Sequence, residues 1–272
     1  MTETPRLTDR TALDRNRARA LRDPALFLHE AARDEAEDRL AMVNKTFTDA
    51  AVVTPFPQVW QGCLPGARIV PDTEVLDLTE GAHDLVIHAL GLHWADDPVG
   101  QLIQCRRALR PDGLLIALSF GGQTLSELRS VLGQAEIDIT GGLSPRVAPM
   151  AEIRDLGALL QRAGMALPVA DSAPLTVTYA SALHLMRDLR AMGETNALYA
   201  RLRRPTRRAV LLRAAELYDQ TYGQDGRIPA TFEIITLTGW APDASQPQPL
   251  RPGSAAHRLA EALGTQENTL KD

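Results

Sequence analysis

Apolar residues along this chain fall in short blocks separated by longer stretches of mixed character. Ala50 to Val53, Ala67 to Val70, Leu85 to Leu90 and Leu114 to Phe120 are runs in which apolar residues dominate. Such runs suit parallel strands covered on both faces. The intervening segments carry helical spacing instead. Pro24 suits a first helical turn, and Ala25 to Val43 places Leu28, Ala31, Ala32, Leu40 and Val43 among charges as an amphipathic helix. Pro98 to Leu109 reads as a helix, Arg110-Pro111-Asp112-Gly113 as a turn, and Thr124 with Glu127 as a capping box opening a helix to about Ile137. Ile153 to Ala163 reads as a helix stopped by Gly164. Thr176 to Tyr179 reads as a strand, two helices follow at about 181–192 and 205–222, and Thr231 to Trp240 alternates as a late strand. Strands alternating with helices of this length predict an α/β domain with a mostly parallel sheet.

Composition narrows the class. A chain of 272 residues with 44% hydrophobic content can bury a full core. Its net charge of −5 gives no reason to expect nucleic acid as a partner. Cys63 and Cys105 are the two cysteines, with no C-x-x-C pair, so neither a disulfide framework nor a thiolate zinc site is expected, and a reducing cytoplasm suits them. No stretch approaches 18 apolar residues, which predicts no membrane span. His88 and His93 lack a carboxylate constellation beside them, so no metal site is expected. Residues 1–22 hold six arginines and few apolar anchors, and read as a basic arm. The tail from Pro242 reads as loosely ordered apart from a short helix at 255–263.

Three phrases carry a resemblance: Asp84-Leu85-Val86-Ile87-His88-Ala89-Leu90-Gly91-Leu92-His93-Trp94, Arg107-Ala108-Leu109-Arg110-Pro111-Asp112-Gly113, and Phe120-Gly121-Gly122-Gln123-Thr124-Leu125-Ser126-Glu127-Leu128. Together with Met192-Gly193-Glu194-Thr195-Asn196 and Pro229-Ala230-Thr231-Phe232, they resemble the class I S-adenosylmethionine methyltransferase family, from about Arg10 to Ala241. Within that family the likeness is to the complex I assembly-factor branch and to the malonyl-carrier-protein methyltransferases of biotin synthesis. The resemblance implies a Rossmann-like sheet over residues 23–241, with a helical insertion at about 180–225 before the last strand.

It also implies where a cofactor would bind, and there the chain departs from the family. Where members place an acidic residue and then loop glycines, this sequence has Val52, Thr54, Phe56 and Gln58. Pro55 and Pro57 fix φ and remove backbone N–H donors, so the turn cannot form a phosphate- or nucleoside-binding cradle of the usual kind. Trp60 and Asp84 are separated by 23 residues, too few for the usual helix, strand, helix and strand, so one strand and one helix are expected to be missing. Asp72 matches the family's acid near the adenine amino group, and Val53, Thr54, Phe56, Asp72, Ala89 and Leu90 would line the vestigial pocket. Losing two or more charge-assisted hydrogen bonds at roughly 1.5–3 kcal/mol each weakens binding by orders of magnitude, so no cofactor is expected.

The substrate or partner side would be formed by His93, Trp94, Gly121, Gly122 and Thr124. A lone histidine after a strand more often packs than reacts, and Gly121-Gly122 also suits a simple strand-to-helix turn. Arg203, Arg204, Arg207 and Arg208 belong to a basic cluster that suits either a solvated face or an acidic protein partner. Two functions follow: a non-catalytic member that binds protein in respiratory-complex assembly, or an active methyltransferase or modifier of a protein substrate, for which S-adenosylmethionine would be the cofactor.

Overall fold

The computed structural model describes residues 6–247, 264 and 265. The chain divides into two compact units, Met1–Pro242 and Asp243–Asp272. The helix expected at 255–263 lies outside the described residues, as does most of the expected loose tail.

The first unit is built on a six-stranded sheet of β1 (Ala50–Val53), β2 (Arg68–Val70), β3 (His83–Ala89), β4 (Leu109–Phe120), β5 (Ala166–Tyr179) and β6 (Ile228–Trp240), in the order β2-β1-β3-β4-β6-β5. The first four strands are parallel, and β6 runs antiparallel between β4 and β5. This is the expected α/β, Rossmann-like arrangement. The shortening is also present, because β2 pairs directly with β1, Val52 opposite Ile69. Strand β1 would otherwise expose unpaired N–H and C=O groups on that side, and direct pairing satisfies them.

Alternation along each strand sorts the core into two layers. Val52, Leu85, Ile87, Ile116, Leu118 and Phe232 face one layer, while Val53, Val86, Leu115, Ala117, Ile235 and Leu237 face the other. The first layer is covered by α2 (Phe27–Met42), α5 (Ser126–Thr140), α7 (Ala182–Ala191) and α8 (Arg208–Tyr222), the second by α4 (Pro98–Ala108) and α6 (Ile153–Arg162). Helices α7 and α8 form the expected insertion between β5 and β6. Among the described residues, no helix is long and apolar enough to cross a membrane.

The basic arm is not a separate tail. Helix α1 (Arg10–Ala20) is capped by Asp9, whose side chain accepts from Ala12 N, and it buries Ala12, Leu13 and Ala20. The preceding residues pair with the insertion through Asp9 N to Ala197 O at 2.8 Å and Tyr199 N to Leu7 O at 2.8 Å. The arm that the sequence allowed to be helical when docked is helical over Arg10–Ala20, with a narrow apolar face.

Three local expectations change. Thr124 does not cap α5: its hydroxyl donates to Gly121 O at 2.8 Å and accepts from Glu233 N at 2.9 Å, and Leu125, at φ 54°, occupies the N-cap position. Glu127 turns instead to Thr231, accepting from its hydroxyl at 2.5 Å and its amide at 3.3 Å. Contacts to β6 thus replace the local box. The turn Arg110 to Gly113 is absorbed into β4 as an irregularity, with Asp112 at φ 59° and its amide bonded to Ala241 O. Strand β5 begins at Ala166 rather than Thr176, because pairing along β6 carries Pro168, Asp171 and Pro174 in a segment whose composition disfavours a strand.

Candidate functional site

The parallel strands β1 and β3 end at one edge of the sheet, where the chain turns at Thr54 and at Leu90. Thr54 N is held by Val70 O at 3.0 Å, and the Thr54 hydroxyl accepts from Phe56 N at 3.2 Å, so the turn closes on itself. Pro57 then opens a single helical turn, α3 (Pro57–Trp60), that directs Phe56 and Trp60 inward. Phe56 is fully buried and Trp60 is 2% exposed. The Phe56 ring meets His29 of α2 edge-on, with centroids 4.6 Å apart.

Asp72 lies beyond β2 and is 2% exposed. Arg17 Nη1 bonds both its carboxylate oxygens, at 2.8 and 2.9 Å, and Arg10 Nη2 bonds one at 3.0 Å. A Cβ on Gly91 would stand 2.6 Å from Asp72 Oδ2, so glycine there is what lets the carboxylate approach. Gly193, at φ 79°, is similarly confined by Arg17 and Phe56. Phe56, Ala89 and Leu90 share one layer and Val53 faces the other; with Thr54 and Asp72, none is more than 2% exposed. Phe56, Ala89 and Leu90 pack with Ala20 of α1, Leu28 and Ala32 of α2 and Leu185 and Leu189 of the insertion. In this turn there is no glycine and Pro55 and Pro57 have no N–H, Phe56 and Trp60 are buried beside it, and Asp72 is paired to Arg10 and Arg17.

A second polar cluster lies beside this plug. Glu194 Oε2 accepts from Trp94 Nε1 at 2.7 Å and lies 3.2 Å from His93 Nε2. Burial opposes charge on Glu194, but His93, Arg17 and the Trp94 donor outweigh it, and its pKa lies below the ordinary carboxylate value. Its other oxygen, Oε1, has no hydrogen-bond partner among the described residues. His29 is driven the other way: burial lowers its pKa to about 4, and Glu194 only partly offsets this, so the ring is neutral at pH 7.

Glu194 and Trp94 line a cavity of about 640 Å³ under the insertion. Of the residues expected on the partner side, Trp94, Thr124 and Arg204 line it. His93 packs between Trp94 and Phe120. Gly121 and Gly122 are not in the cavity lining; a side chain on Gly121 would overlap Ile235 and the Ala151 carbonyl, and Gly122 turns at φ 50° against the Glu233 carboxylate. Arg203, Arg207 and Arg208 are exposed on the outer surface, where Arg203 stacks over Tyr199 at 5.6 Å. Sequence reasoning missed Arg17, His29 and Glu194. Glu194 lies within a phrase that carried the resemblance; the other two gave no local signal. Among the described residues, no group of three or more His, Cys, Asp or Glu is placed to hold a metal.

Comparison with known proteins bears on this architecture. A family model described as a methyltransferase domain matches residues 35–117. A Danio rerio protein named arginine-hydroxylase NDUFAF5, mitochondrial, is 40% identical over 199 residues, covering 73% of this chain and 62% of that one. Its Homo sapiens counterpart is 38% identical over 208 residues, covering 76% and 60%. A malonyl-[acyl-carrier protein] O-methyltransferase of Laribacter hongkongensis is 38% identical over 178 residues, covering 65% and 58%. The chain thus spans about three fifths of these relatives. Among solved structures, the Burkholderia thailandensis 1,6-didemethyltoxoflavin-N1-methyltransferase aligns with a TM-score of 0.44 at 14% identity, covering 86% of this chain and 89% of that one. The chain is thus similar to a methyltransferase-domain family over residues 35–117, and to relatives named arginine-hydroxylase NDUFAF5 and malonyl-[acyl-carrier protein] O-methyltransferase over most of its length.

Proposed function

We propose that this chain is a methyltransferase-fold protein whose cofactor pocket has become packed core, and that it acts by binding a protein partner. The observation that carries the reading is the filled pocket: Phe56 and Trp60 are buried in it, and Asp72 is bound by Arg10 and Arg17. The partner surface is the face where the N-terminal segment meets the insertion. Arg203, Arg204, Arg207 and Arg208 are exposed there, in a chain of net charge −5, and steer an acidic surface toward it. The resemblance to the complex I assembly-factor branch makes a respiratory-complex subunit the partner to test.

Calorimetry tests the first half. Titration with S-adenosylmethionine or S-adenosylhomocysteine is expected to release no binding heat, and a low-micromolar dissociation constant overturns the reading. For the second half, charge reversal at Arg203, Arg207 and Arg208 is expected to lower partner recovery in a pull-down. Unchanged recovery by the folded variant removes this face from the interface.

One observation favours a second reading, a modifier of arginine in a protein substrate. Glu194 lines the cavity, and one of its carboxylate oxygens has no hydrogen-bond partner among the described residues, an arrangement that suits a guanidinium; the relatives named arginine-hydroxylase fit that chemistry.

A further inference from the structure

We propose that the cavity under the insertion binds a small amphiphile with an apolar body and an anionic head. The inference does not depend on the partner reading. Its deep surface comes from Phe120 of β4, Leu128 of α5, Phe232 of β6 and Met192 just after α7, all buried, and Met150 and Met186 form half-buried walls. Three methionines give this lining an adaptable shape, because the thioether side chain is unbranched and polarizable. A volume of about 640 Å³ is that of a small-molecule site.

The charge at the rim selects the head group. Four arginines line the cavity, against one acid, Glu194. Arg146 is committed to Glu136, at 2.7 and 2.9 Å, and Arg201 to Asp9 at 2.9 Å. Arg190 and Arg204 are exposed, and their side chains make no hydrogen bond or ion pair among the described residues. Two unengaged guanidinium groups over an apolar chamber complement a carboxylate or phosphate whose hydrocarbon enters the chamber. Glu194 accepts from Trp94 Nε1 and lies 3.2 Å from His93 Nε2.

The test is calorimetric titration of the full chain with dodecanoate, dodecyl phosphate, dodecyltrimethylammonium and dodecylguanidinium, each below its micelle concentration. One-to-one binding of dodecanoate or dodecyl phosphate, at least tenfold tighter than either cation, is expected. The stronger of the two anions distinguishes a fatty-acid head from a phosphate monoester. Arg190→Gln with Arg204→Gln is expected to weaken the anion at least tenfold with an unchanged melting temperature. Met186→Trp, which fills a wall, is expected to weaken it as well, while Arg203→Gln with Arg207→Gln and Arg208→Gln, outside the lining, leaves it intact. Equal or tighter binding of a cation overturns the proposal in favour of a ligand on Glu194. Absence of anion binding, or equal loss in the two arginine variants, also overturns it.

Discussion

Arg17 reaches from α1 to Asp72 with one nitrogen 2.8 and 2.9 Å from the two carboxylate oxygens, both side chains nearly excluded from water. Arg10 Nη2 bonds the same carboxylate at 3.0 Å, so Asp72 fastens the N-terminal helix to the loop beyond β2. Arg17 Nε and Nη2 have no hydrogen-bond partner among the described residues, and Asp72 accepts the bonds that the guanidinium makes.

Removing one partner of a buried pair leaves a charge without compensation, at about 3–5 kcal/mol. Asp72→Ala is expected to lose stability on that scale in urea unfolding. The double variant Arg17→Leu with Asp72→Leu is expected to be more stable than Asp72→Ala alone. A double variant as costly as the sum of its single changes would refute the pairing argument.

Phe56 tests whether the plug is core or cover. Truncating a fully buried phenylalanine costs about 3–5 kcal/mol through lost transfer and the cavity left behind. Phe56→Ala is expected to fall in that range by chemical denaturation. A loss below about 1 kcal/mol would mean that the ring lies over the site without supporting the fold.

His29 ties stability to pH with a definite sign. Buried imidazole stays neutral in the folded chain down to about pH 4, whereas the unfolded chain takes up the proton near 6.5. The unfolded state therefore binds more protons between these values, and stability falls as pH drops from 6.5 toward 4. His29→Phe, which keeps an aromatic ring against Phe56, is expected to flatten this part of the stability curve. An identical slope in the variant would exclude His29 as its source.

Glu136 acts at lower pH. Arg146 and Ser144 bond its carboxylate and hold its pKa down to about 2, while Arg146 also bonds Thr206 of the insertion. A depressed carboxylate stabilises the fold above its ordinary pKa, 4.5, and loses that contribution as pH falls through about 2. Glu136→Gln is expected to be less stable by about 1.5–3 kcal/mol at pH 7, as for hydrogen bonds to charged groups. That gap should close between pH 4.5 and 2. A constant gap across this range would show that the carboxylate's charge is not responsible.

Much of the scaffold was readable from local sequence, since apolar runs such as Ala50 to Val53 and Leu114 to Phe120 are covered on both faces and need no distant partner to identify them. Spacing also foretold the missing strand and helix, because chain length limits what can be fitted between Trp60 and Asp84. The prolines and absent glycines marked a turn that offers few backbone donors, a property of residue type alone. What packs against that turn was decided by tertiary structure. Arg17, His29, Phe56 and Glu194 are distant in sequence, and their burial and charge depend on helices from opposite ends of the chain meeting over one sheet edge. Thr124 and Glu127 show the same limit on a smaller scale: a strand more than a hundred residues away claimed both side chains from the helix cap that local spacing favoured.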